Sequence, residues 1–173
     1  MTKIIIKFAI SFVIIVLLQV TVFNHLVLFG VAVPMVFICW LLRLPVTLNV
    51  NWVLTCGFVL GLTVDIFSDT LGMNALTCTV AAVLRQPVLR LYFPREEDLT
   101  DPEPTIKSLG PAIYLKYLMT MTVIYCTVYF LVEAMSFFNP LRLLMCITGS
   151  SVLTFVLIAA IDSITGKQRE KRL

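Results

Sequence analysis

The side chains able to do chemistry in this chain are few, and they lie in a very apolar sequence. The only histidine is His25, and no nucleophile–base arrangement or H-E-x-x-H motif accompanies it. Asp65 falls inside an apolar run, where a carboxylate is costly and by default marks a function or a specific partner. We expect Asp65 or Glu133 to pair with Arg142; the alternative is that all three side chains are hydrated. No catalytic residue, metal ligand or cofactor is expected.

The cysteines lie within apolar runs, and none forms a C-x-x-C pair. This placement favours small buried hydrophobic side chains over a disulfide framework or a zinc site. The five positions are Cys39, Cys56, Cys78, Cys126 and Cys146.

The composition indicates a protein whose solvent is lipid. Of 173 residues, 60% are hydrophobic and 13% are charged, whereas roughly a quarter are charged in an average soluble domain. A soluble core of this length cannot hide so much apolar surface. We therefore expect one integral membrane domain over residues 1–173 and no separate soluble domain.

Six apolar runs have the length of membrane-crossing helices, which need roughly 20 residues each. Turn-forming residues separate the runs, so the sequence predicts an all-α polytopic bundle of six transmembrane helices. The runs cover residues 4–23, 26–44, 50–67, 71–93, 112–135 and 141–165.

The distribution of Lys and Arg predicts both termini on the cytoplasmic side. With that orientation only Arg142 falls outside, in agreement with the retention of basic residues in the cytoplasm. Arg85 and Arg90 are expected to extend their long stems to the inner interface. The basic tail, residues 167–172, is expected to be attracted to anionic lipid headgroups. Between spans four and five, residues 94–111 form an acidic, proline-rich cytoplasmic loop. It is either a solvated linker or a docking strip for a basic partner.

The third and fourth runs contain an unusual combination of glycines and aspartates. Gly57 and Gly61 stand four residues apart on one helix face, which permits close approach of another helix. Asp65 continues that face one turn further. Asp69 lies in the following turn and is expected to cap the first amides of span four. Gly72 then permits close packing or a strained turn.

This hairpin resembles the signature hairpin of the rod shape-determining protein MreD family. The layout is also similar, with a short first span, Pro34 early in the second span and Arg43 after it. The chain departs from the family in its long acidic inner loop and in the basic end of span four. The matching pattern is Gly57-x-x-x-Gly61-Leu62-x-x-Asp65 followed by Leu71-Gly72-x-x-Ala75-Leu76.

The resemblance implies a non-catalytic component of the bacterial cell-wall elongation machinery in the inner membrane. Its partners would be the bitopic protein MreC, the glycosyltransferase RodA with penicillin-binding protein 2, and, indirectly, MreB filaments; nucleic acid is not a partner. The implied fold is similar to the membrane substrate-binding subunits of vitamin transporters. The implied family positions are Gly57, Gly61, Asp65, Leu71, Gly72, Ala75 and Leu76.

The alternative from another class is a small-solute-binding membrane subunit of a transporter. Six helices can enclose an outward pocket. The side chains available to line it are Asp65, Glu133 and Arg142, together with Trp52 or Tyr129. A transporter of a polar solute is expected to carry more polar groups in its spans than this chain does. The sequence therefore favours a membrane scaffold.

Overall fold

The computed structural model describes residues 2–25, 32–70, 72–92, 103–134 and 140–170. All of its regular elements are helical, so the predicted all-α class is confirmed. Residues 94–102 of the acidic loop and the side chains of the basic tail lie outside the described residues. The helices are α1 (Thr2–Thr21), α2 (Ile38–Leu42), α3 (Val50–Ser68), α4 (Met73–Tyr92), α5 (Ile106–Leu109), α6 (Pro111–Ala134) and α7 (Pro140–Glu170), with a 3-10 turn at Phe23–His25.

Within the described residues, three helices are long and apolar enough to cross a membrane. They are α3, α6 and the part of α7 at Pro140–Ser163. Helix α1 adds a shorter apolar stretch, Ile6–Thr21. Several apolar helices of this kind indicate a multi-pass membrane protein.

Helix α4 lies at the centre of the bundle, between α3 and α6. Its buried side chains are mostly small, including Ala75, Cys78, Ala81 and Ala82. Small residues let neighbouring backbones approach closely, which is the main source of helix association in lipid. Helix α7 packs on α6, and α1 packs on α3.

The predicted second span, residues 26–44, is wrong as a continuous helix. Residues 26–31 lie outside the described residues, residues 32–36 are not helical, and the helix is limited to Ile38–Leu42. Pro34 gives the physical reason, because it has no amide N–H and it forces Val33 away from helical dihedrals. Most of the described part, residues 32–44, is nevertheless buried within the bundle.

Two side chains of α7 hold the non-helical segment, residues 32–36. The amide of Val33 donates to Ser150 Oγ at 3.0 Å, and the amide of Met35 donates to Thr154 Oγ1 at 3.0 Å. Backbone groups at membrane depth need internal partners, because hydrocarbon offers none. The hydroxyls of α7 therefore replace the hydrogen bonds that a helix would have made.

Gln19 of α1 holds the same segment from the opposite side. Its Oε1 accepts from the amide of Val36 at 3.0 Å, and its Nε2 donates to the carbonyl of Pro34 at 2.9 Å. The Nε2 group also donates to Asn24 Oδ1 at 3.1 Å. The side chain is 1% exposed, so a buried amide has its donors and acceptor satisfied.

Thr154→Val tests this arrangement with almost no change of shape. The amide of Met35 loses its acceptor, so the melting temperature in detergent should fall by the equivalent of about 1–2 kcal/mol. Thr148→Val makes the same change in the same helix, where the exposed hydroxyl donates only to the carbonyls of Leu144 and Met145 within α7. Equal melting temperatures for the two variants would contradict the stabilising role of the hydrogen bond from Met35 to Thr154.

Candidate functional site

Gly57 and Gly61 bring the backbones of α3 and α4 together. A Cβ atom at Gly57 would lie 3.1 Å from the carbonyl oxygen of Cys78 and 3.2 Å from Ala82 Cβ. At Gly61 it would lie 2.5 Å from Ala75 Cα, closer than real Cβ atoms approach. The face predicted for close helix approach thus lies against α4, and Gly61 is its tightest point.

Asp65 lies one turn beyond Gly61 and is 3% exposed. Its Oδ1 accepts from the backbone amide and from Nδ2 of Asn74, both at 3.0 Å, and also from Thr70 Oγ1. Its Oδ2 accepts from the amide of Ala75 at 2.8 Å. The carboxylate thus binds the first free amides of α4, where negative charge also meets the helix dipole.

The cap that we expected from Asp69 comes from Asp65. Asp69 is exposed and ends α3 in the left-handed conformation, with φ of 52°, and its amide donates to the carbonyl of Asp65. Gly72 has φ of 74° with open space where a Cβ would stand, so its backbone conformation, not close packing, requires glycine there. Leu71 lies outside the described residues.

Asn74 extends this network to a third helix. Its Oδ1 accepts from the hydroxyl of Tyr125 on α6 at 2.9 Å. Both Asn74 and Tyr125 are buried, as is Ala75, whereas the neighbouring Leu76 is about half exposed. We call Asp65, Thr70, Asn74 and Tyr125 the capping network; it ties α3, α4 and α6 together at one end of the bundle.

The predicted charge cluster does not form around Asp65. Its carboxylate oxygens bind donors from α4 and the preceding turn, and Arg142 is not among them. Glu133 and Arg142 are both exposed, and they interact electrostatically without an ion pair among the described residues. The prediction was that Asp65 or Glu133 pairs with Arg142, or that all three side chains are hydrated. Both alternatives are wrong for Asp65, because it is buried and donors from α4 and Thr70 bind its carboxylate.

A second polar cluster lies at the opposite end of the bundle. Arg43, after α2, forms an ion pair through Nη2 with Oδ1 of Asp162 on α7. Tyr114 of α6 donates its hydroxyl to Asp162 Oδ2, and Arg85 of α4 donates through Nη2 to the carbonyl of Leu44. Arg85 is 2% exposed, so the prediction that it extends to the interface is wrong.

Comparison with known proteins finds no matching family model, curated protein or solved structure. The function of this chain is therefore inferred from its residues and their geometry. Both polar clusters join helices that are distant in sequence, and each has buried charged groups at its centre. Arrangements of this kind fix the relative positions of helices within a membrane.

The second cluster was not predicted from the sequence, although the sequence carries a signal for it. Asp162 falls within a predicted apolar span and Arg43 lies at the end of another, where an ionisable residue calls for a partner. A search for opposite charges across the predicted spans would have joined them. Tyr114 and Tyr125 carried no such signal, because a tyrosine in an apolar helix equally suits the core or the interface.

Proposed function

We propose that this chain is a non-catalytic membrane scaffold of the bacterial cell-wall elongation machinery, similar to MreD. One observation carries the proposal: four residues of the resemblance, Gly57, Gly61, Asp65 and Gly72, act together in one structural unit. Gly57 and Gly61 seat α3 on α4, Asp65 caps α4, and Gly72 makes the turn between the two helices.

The exposed side of α3 favours a membrane helix of another protein as the binding partner of this scaffold. The glycine face of α3 is used inside the bundle, so the opposite face remains for lipid or for another protein. That face is large and apolar, which suits the single membrane helix of MreC. Its exposed residues are Phe58, Val59, Leu62, Ile66 and Phe67.

Location and topology belong to the same proposal. With both termini in the cytoplasm of an inner membrane, the capping network faces outward and the Arg43–Asp162 pair lies on the cytoplasmic side. RodA and penicillin-binding protein 2 would join through MreC or directly, and MreB filaments would act indirectly from the cytoplasm.

The proposal is tested by isolating the tagged chain from native membranes in mild detergent and identifying co-purified proteins by mass spectrometry. We expect MreC and the wall-elongation synthases. Leu62→Trp enlarges the exposed face of α3 and should reduce MreC recovery several-fold, whereas Val152→Trp on the exposed side of α7 should not. Normal recovery of MreC with Leu62→Trp would exclude this face, and absence of all elongation proteins would exclude the function.

A solute-binding membrane subunit of a transporter is the second candidate, and the non-helical segment favours it. Interrupted helices near the middle of a membrane often line substrate sites in transporters. The resemblance implies a fold similar to the membrane substrate-binding subunits of vitamin transporters, and we propose that fold with this candidate. Co-purification of an ATP-driven energising module, or saturable binding of a small solute to the purified chain, would support it over the scaffold.

A further inference from the structure

We propose that the second polar cluster binds a phosphate-type oxyanion, either the headgroup of an anionic phospholipid or free phosphate. The arginine cluster, as we call it, consists of Arg43, Arg85, Tyr114, Tyr117 and Asp162. This inference is independent of the scaffold function and of its partners.

The members of the arginine cluster form a continuous set of neighbours. Arg85 binds the carbonyl of Leu44, which directly follows Arg43 in the chain. Tyr114 interacts electrostatically with both Arg43 and Tyr117, and Tyr117 lies beside the guanidinium of Arg85. The cluster therefore joins α4, α6, α7 and the segment after α2 in one buried region.

The arginine cluster contains buried donors that no described residue satisfies. Arg43 Nε, Arg85 Nε and the hydroxyl of Tyr117 each have no hydrogen-bond partner within the described part of the chain. Tyr117 is 0% exposed, so its hydroxyl is fully removed from bulk solvent. All three groups can donate, and what the site lacks is an acceptor.

The charges point to the same chemistry. Arg43 and Arg85 bring positive charge, and Asp162 is the one carboxylate that binds either of them among the described residues. A buried guanidinium without a counter-charge is costly. An oxyanion with several acceptor oxygens supplies both the missing charge and the missing acceptors, and guanidinium groups match its geometry.

Access to the arginine cluster is provided by Arg43, whose side chain is 26% exposed while that of Asp162 is 4% exposed. We infer that a ligand would reach Arg85 and Tyr117 past Arg43, which is the member of the cluster in contact with the surroundings. Basic pockets between transmembrane helices bind lipid headgroups in this manner.

The test uses the purified full chain in mild detergent, with melting temperature as the readout. One arm adds inorganic phosphate against chloride at equal ionic strength, and the other adds phosphatidylglycerol against phosphatidylcholine. A saturable increase with phosphate identifies a free oxyanion as ligand, and an increase with phosphatidylglycerol alone identifies a lipid headgroup. No saturable increase in either arm overturns the proposal, and the donors are then satisfied by water.

Tyr117→Phe is the decisive variant, because it removes a buried hydroxyl that lies beside the guanidinium of Arg85 and has no acceptor among the described residues. Loss of one hydrogen bond to a charged ligand should weaken the apparent affinity about tenfold or more. Tyr92→Phe is the control, since its hydroxyl lies 2.8 Å from Thr120 Oγ1, and it should retain wild-type affinity. An unchanged affinity in Tyr117→Phe, or an equal loss in Tyr92→Phe, overturns the proposal.

Discussion

Gly61→Ala is expected to destabilise the bundle by about 3 kcal/mol, the upper end of the range for overpacked cores. The added methyl would lie 2.5 Å from Ala75 Cα and 2.6 Å from Ala75 N. These neighbours are backbone atoms of α4, which cannot rotate away as a side chain can. Helices α3 and α4 must therefore separate, and the hydrogen bonds from Ala75 and Asn74 to Asp65 must lengthen. Thermal unfolding of the purified chain in detergent measures the effect.

Gly149→Ala is the matched control for Gly61→Ala. The new Cβ at position 149 would lie 3.3 Å from the side-chain Cβ of Ala32, and a small displacement relieves that contact. Replacing a helical glycine with alanine also gains roughly 0.5–1 kcal/mol, so Gly149→Ala should be close to neutral. If Gly61→Ala melts at the same temperature as Gly149→Ala, the close approach of α3 and α4 at Gly61 is refuted.

Asp65→Asn is expected to cost about 3 kcal/mol although it preserves the shape of the side chain. Every group that contacts the carboxylate is a donor, from Thr70, Asn74 and Ala75. A side-chain amide presents an NH₂ group in place of one acceptor, so at least one buried donor loses its acceptor. Each such loss costs about 1–3 kcal/mol, and the favourable charge at the start of α4 is lost as well.

Asp69→Asn removes the same charge four residues away and serves as the comparison. Asp69 is exposed, and asparagine tolerates its left-handed conformation. The free energy of unfolding of this variant should stay within about 0.5 kcal/mol of the wild-type value, as is usual for surface changes. An equal loss in Asp65→Asn and Asp69→Asn would show that net charge, and not the cap, stabilises the turn.

The sequence predicted those helices whose signal is continuous over a full span. The runs that became α3 and α6 have few interruptions, and their predicted bounds agree with the structure to within about two residues. The prediction of a continuous helix over the second run was wrong because hydropathy does not depend on backbone conformation. Residues 32–36 are as apolar as a helix would be, and only Pro34 signals the break. The acceptors that make the break tolerable, Ser150 and Thr154, lie far away in the sequence.

For the candidate site, residue spacing within a helix predicted which face packs closely, but it did not predict contacts between helices. The spacing of Gly57 and Gly61 gave the close-packed face, because four residues make one helical turn. The choice between Asp65 and Asp69 as the cap depends on the angle at which α4 leaves the turn. That angle is set by packing at Gly61 and by the positive φ of Gly72, which spacing does not encode. The contact of Asn74 with Tyr125 was not predicted for the same reason, because residue spacing within one helix does not encode its placement against another.

The hydrogen bonds of the non-helical segment impose an order on biosynthesis. The acceptors for Val33 and Met35 lie 117 and 119 residues later in the chain, and ribosomes make the N-terminal part first. Until α7 has been synthesised and inserted, these amides have no acceptor from it, and bare amides in hydrocarbon cost several kcal/mol each. Residues 32–36 therefore gain their full set of hydrogen bonds only once α7 has been made and has packed against them.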